Sequence, residues 1–117
     1  MNTLHAEDTA AWRDWLEQHG TTEGSVWLVI EHKRSPRPGV GYHDAIEHAL
    51  CFGWVDSKAL KNDENSCLLR FTPRSPTSSW AATNRARAER LIDAGLMQPA
   101  GQATIDLAKR TGRWDGR

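Results

Sequence analysis

The stretch RFTPRSPTSSWAATN, residues 70–84, gathers the side chains best suited to recognising a charged ligand: Arg70, Arg74, six hydroxyls, Trp80 and Asn84. A guanidinium fork pairs with a phosphate or carboxylate through two parallel hydrogen bonds. Arg74 lies between Pro73 and Pro76, just ahead of an expected helix start, where free backbone amides also attract anions. Asp56 is the internal carboxylate that could take Arg74 instead. Asn84 stands one turn after Trp80 and one turn before Ala88, so it interrupts an apolar stripe. A buried amide left unpaired costs about 1–3 kcal/mol. Asn84 therefore needs a partner, either backbone of the 70–77 loop or a ligand in a pocket walled by Trp54 and Trp80. Trp54, Asp56, Arg70, Arg74, Trp80, Asn84 and Arg85 form the candidate ligand-binding set, an electropositive, tryptophan-lined groove for an anion.

Other chemistries lack their patterns. His5, His19, His32, His43 and His48 are scattered, and His43 and His48 are five apart, where shared metal ligation on a helix wants three or four. Cys51 and Cys67 show no CxxC spacing and read as reduced, buried small side chains. Ser57, Ser78 and Ser79 sit outside any GxSxG elbow, and PRPGVG is not a phosphate-binding GxxxxGK[ST] loop. No cofactor or metal is expected. An enzyme would have to use Asp56 as acid or base beside Arg74. An adjacent arginine lowers a carboxyl pKa, which disfavours a base poised near neutral pH.

Several elements must position these residues. Residues 8–19, DTAAWRDWLEQH, have a helical apolar period, with Asp8 as N-cap and Gly20 as a left-handed stop. SVWLVIEH (25–32) reads as a strand with Val26, Leu28 and Ile30 on one face and Trp27 and Val29 on the other, covered at least in part on both sides. KRSPRPGVG (33–41) is a loop, and 42–53 is a helix stopped at Gly53. Strands 54–61 and 67–73 flank NDENS as a hairpin. A helix capped by Thr77 or Ser78 runs to Gly95, with a stripe of Trp80, Ala81, Ala88, Leu91 and Ile92, and Pro99 opens a last one ending near Gly112. The order α-β-α-β-β-α-α predicts a single α+β domain over residues 1–117, a small, mainly antiparallel sheet packed with helices.

The chain carries 15 Lys/Arg and 15 Asp/Glu, but unevenly. Residues 1–57 hold four basic against nine acidic side chains, a net −5, whereas 58–90 hold seven against three, a net +4. No apolar run reaches a membrane span, and the acidic start MNTLHAEDTAAW lacks the pattern of a signal peptide, so a cytoplasmic protein is expected. Nucleic-acid binding through Lys58, Arg85, Arg87 and Arg90 is disfavoured by the zero net charge, and Arg85 and Arg87 point different ways on a helix.

The blocks ALCFGWVDSK (49–58), RFTPRSPTSSWAATNRARAERLIDAGLMQPAG (70–101) and AKRTGRW (108–114), in that order, resemble the YdeI/OmpD-associated family of bacteriocin-protection proteins. The resemblance implies a role in surviving bacteriocins or cationic antimicrobial peptides, with a porin as partner. It carries over no catalytic residues, and it implies that the chain lacks a helical extension beyond GRW. The combined expectation is a non-enzymatic binding domain for an anionic small molecule or a protein partner.

Overall fold

The computed structural model describes residues 2–115. In chain order they form β1 (Thr3–Leu4), α1 (Thr9–His19), β2 (Val26–Glu31), α2 (Tyr42–Cys51), β3 (Trp54–Asp63), β4 (Ser66–Pro73), α3 (Ala82–Asp93) and α4 (Pro99–Thr111). This is the α+β architecture read from the sequence, with one short strand added at the start. The sheet runs β1-β2-β4-β3. β1 pairs with β2 in parallel, and β2, β4 and β3 are antiparallel neighbours, so the sheet is mixed. Two residues carry too little periodicity to announce a strand. β1 exists because β2 offers it an edge, with Trp27 N–H donating to the Asn2 carbonyl at 2.7 Å.

The alternation in VWLVIE decides where the core lies. Val26, Leu28 and Ile30 pack with Leu69 and Phe71 of β4 against Trp12 and Leu16 of α1 and Ala45, Ile46 and Ala49 of α2. Each fully buried aliphatic or aromatic side chain contributes roughly 1.5–3 kcal/mol. The two core indoles keep their N–H groups satisfied: Trp12 Nε1 donates to the Ala45 carbonyl at 3.0 Å and Trp54 Nε1 to that of Gly20 at 3.1 Å. A second cluster joins Leu50 and Cys51 at the end of α2 to Trp80, Ala88 and Leu91, and to Ile105 and Ala108 of α4. Neither cluster contains Trp27, Val29, Leu68 or Leu60. The helices therefore lie on one face of the sheet, while on the other face β2 is still covered in part, with Val29 buried and Trp27 half-buried.

Three local expectations change. Gly20 is not left-handed, since its φ is −65°. It is needed for space, because a Cβ there would collide with the Leu16 carbonyl oxygen and stand 3.3 Å from Trp54 Nε1. The helix expected from Thr77 or Ser78 begins only at Ala82 and has no side-chain cap. The hydroxyls are already engaged in a local turn, with Ser78 Oγ donating to the Ser75 carbonyl at 3.0 Å and Thr77 N–H to Ser75 Oγ at 3.3 Å. Trp80 N–H donates to the Arg113 carbonyl at 3.1 Å, which holds this segment extended. The apolar stripe also frays, since Ile92 is 38% exposed. No helix among the described residues is long and apolar enough to cross a membrane.

Candidate functional site

Pro73 ends β4 opposite Trp54, and the chain then turns through residues 74–79 towards the second cluster. Arg74 is fixed there from three directions. Its backbone N–H donates to the Gly53 carbonyl at 2.8 Å, its Nη2 donates to the Ser79 carbonyl at 2.8 Å, and its guanidinium carbon lies 4.0 Å from the Trp80 ring centroid. That stacking is favourable because the ring face is electron-rich. Burial lowers the Arg74 pKa from its ordinary value, although a guanidinium remains protonated at neutral pH. Its Nε is buried and has no hydrogen-bond partner among the described residues. No carboxylate among them lies within ion-pair distance of it. A crevice of about 60 Å³ lies alongside, lined by Arg74, Ser75, Pro76, Ser78, Trp80, Thr104, Leu107 and Ala108.

The other sequence-selected residues separate. Trp54 is buried in the first cluster and Trp80 in the second, so the two indoles do not wall one groove. Asp56 is opposite Phe71 on β3 and does not pair with Arg74, whose fork is turned towards Ser79. Arg70 lies on the opposite face of the sheet from Phe71, its Nη1 3.5 Å from Ser57 Oγ. Asn84 finds its partner one turn along its own helix, accepting from Arg87 Nη1 at 3.0 Å, rather than in the 70–77 loop. Arg85 is a brace: its Nη1 donates to the Trp80 carbonyl at 2.9 Å and to the Trp114 carbonyl at 3.1 Å. It thereby ties together the backbone carrying the two rings, whose centroids lie 5.0 Å apart at an interplanar angle of 47°. Arg90 pairs with Glu47 at 2.6 Å. Of the seven residues, Arg74 and Trp80 meet at a possible ligand contact, and Arg85 secures the backbone behind them.

Two features escaped the sequence reading. One is a cavity of about 410 Å³ between the end of β2 and the start of α2, lined by Ile30–Lys33 and Gly41–Asp44. The 33–41 loop returns to bridge Val40 with Ile30, and nothing local in KRSPRPGVG foretells that return. Glu31, its side chain 6% exposed, accepts at Oε1 from Ser35 Oγ at 2.7 Å and Arg37 Nε at 3.2 Å. Burial pushes the Glu31 pKa up, but those bonds, the charge of Arg37 and nearby His5 outweigh it and leave the carboxyl below its usual value. Charges of both signs, Lys33 against Glu31 and Asp44, line this cavity. The other feature is the lack of an aromatic partner for Trp27, whose place on the second face of β2 is the expected one. Trp12, Trp15, Trp54, Trp80 and Trp114 each pack against another ring, stacked, edge-on or tilted, whereas Trp27 has no ring partner among the described residues. The alternation in VWLVIE signals its position, because a side chain between Val26 and Leu28 must leave the core.

No curated protein and no solved structure matches this chain. A family model matches residues 4–104, and it overturns the resemblance to the YdeI/OmpD-associated family. Nothing shows that family, so the bacteriocin-protection role, the porin partner and the idea of a lost helical extension lose the resemblance that suggested them. In the blocks ALCFGW and GLMQPAG, Gly53 and Gly95 are left-handed helix stops and Gly101 packs against the Cys51 carbonyl. By the match across most of its length, the chain belongs to the family described as Domain of unknown function (DUF8412).

Proposed function

We propose that this domain is a non-enzymatic binding module that takes an oxyanion, the carboxylate, phosphate or sulfate group of a small molecule, at Arg74. The observation that carries the reading is a half-buried guanidinium with no carboxylate partner and an unpaired Nε, stacked on Trp80 beside a small crevice. An uncompensated buried charge is normally neutralised or paired. An anion in the crevice would do so at a site whose geometry is already fixed by Gly53, Ser79 and Trp80. About 60 Å³ admits the charged head of a ligand and leaves the rest of it outside. The larger cavity at β2 and α2 has mixed charges and gives no comparable preference. Nor does Asp56 act as an acid or base in this reading, since it does not face Arg74.

The test is a thermal-shift titration with sulfate, phosphate and acetate, comparing wild type with Arg74→Gln. Saturating binding raises stability by RT ln(1 + [L]/Kd), about 2.7 kcal/mol at a hundredfold excess over Kd. A saturable rise that disappears in Arg74→Gln supports the proposal. Equal rises in both proteins, or flat curves in the wild type, refute it.

A further inference from the structure

The helix-free face of the sheet presents a row of side chains that runs across all four strands. The strand registers place Thr3 beside Trp27, Trp27 beside Arg70, and Arg70 beside Lys58. Residues paired across a ladder project from the same face, so the row reads hydroxyl, indole, guanidinium, ammonium. The flanking row is Val29, Leu68 and Leu60, of which Val29 and Leu68 are buried and Leu60, on the edge strand, is 47% exposed. Neither helix-packed cluster reaches this face.

Trp27 is partly exposed, and its ring stacks on no other ring among the described residues. Lys58 is exposed and makes no ion pair among them. Glu31 and Asp63, at the Ser66 end of these strands, are held by Arg37 at 3.2 and 2.9 Å, and Glu23, beyond Thr3, accepts from Asn2 Nδ2 at 3.3 Å. The accessible chemistry is therefore an unstacked aromatic followed on one side by two cations, with no carboxylate in the row.

We propose that this face binds single-stranded nucleic acid, one base stacking on Trp27 while Arg70 and Lys58 contact the adjoining phosphates. A flat aromatic accepts any base because every base has a π face, and cations beside it follow the backbone. An unpaired strand is required, because bases already stacked within a duplex cannot lie on the indole. A second copy of the chain suits the face poorly, since a two-fold contact centred on this row would bring Arg70 and Lys58 towards their own counterparts. The site is separate from the Arg74 crevice and does not depend on it.

The experiment is fluorescence anisotropy of a labelled twelve-residue oligothymidine at low salt, repeated with a duplex of equal length and with rising salt. Trp27→Ala, Trp27→Phe, Lys58→Glu and Leu60→Lys are compared with wild type, and folding is checked by circular dichroism. Stacking one base is worth a factor of about ten or more in affinity, so Trp27→Ala weakens binding about tenfold and Trp27→Phe restores most of it. With two phosphates neutralised, log K falls against log salt with a slope of about −1.4. Lys58→Glu, at an exposed position, weakens binding in a folded protein even if Trp27→Ala does not fold. The proposal is overturned by no anisotropy change for the wild type, by affinity unaffected in Lys58→Glu, or by a duplex bound as tightly as the single strand. It is also overturned if sedimentation finds a dimer that Leu60→Lys dissociates, which would assign the face to a second copy.

Discussion

Gly101 provides the sharpest test of how the second cluster is assembled. It lies in the first turn of α4, where replacing glycine by alanine ordinarily favours a helix by up to about 1 kcal/mol. The tertiary structure reverses that sign. A Cβ on Gly101 would stand 2.6 Å from the Cys51 carbonyl carbon and 2.6 Å from Met97 Sδ, and closer still to the Cys51 oxygen. The methionine can move, but the Cys51 carbonyl is backbone and already accepts the Gln98 N–H at 3.0 Å. Overpacking of this kind costs roughly 1–3 kcal/mol, and loosening the Gln98 bond adds about 1 kcal/mol. Gly101→Ala is therefore expected to destabilise by about 2 kcal/mol net, lowering Tm by roughly 8 °C for a domain of this size. Urea unfolding followed by tryptophan fluorescence reads the change directly. Gly24→Ala is the matched control, since a Cβ there meets nothing within 4 Å and should leave stability equal or slightly raised. A midpoint for Gly101→Ala at or above that of the wild type would show that α4 does not seat against Cys51 as described.

Two further predictions concern pH. Asp63 accepts from Asn65 N–H, Ser66 Oγ and Arg37, which lowers its pKa from 3.8 to about 2. A depressed carboxyl stabilises the fold fully above its unfolded pKa and loses that contribution as pH falls through the folded value, so the urea midpoint should drop between about pH 4 and 2, and Asp63→Asn should flatten that part of the profile. His48 has its pKa lowered, first by burial and then by Arg13, whose Nη1 lies 2.8 Å from Nδ1. The neutral ring is favoured in the folded state, so stability should decline as pH falls from the unfolded histidine value near 6.5; a His48→Gln variant that keeps the same slope would contradict this.

The sequence by itself determined the elements with strong local signals. The alternation of Val26, Leu28 and Ile30 set the core face of β2, Asp8 capped α1 by accepting from Ala11 N–H at 2.8 Å, and Pro99 opened α4. It placed Arg74 and Trp80 in one candidate set, but their stacking at 4.0 Å is a product of the tertiary structure. What it could not supply was which distant segments meet. The split between Trp54 and Trp80 depends on α2 ending at Cys51 and delivering Leu50 and Cys51 to a second cluster. The diversion of Arg85 depends on Trp114, 29 residues away, bringing its carbonyl within 3.1 Å. The late start of α3 likewise depends on Arg113 capturing the Trp80 amide. Local periodicity records which side chains share a face. Only the closed tertiary structure decides which faces are covered, and that choice left Trp27, Arg70 and Lys58 on the face without helices.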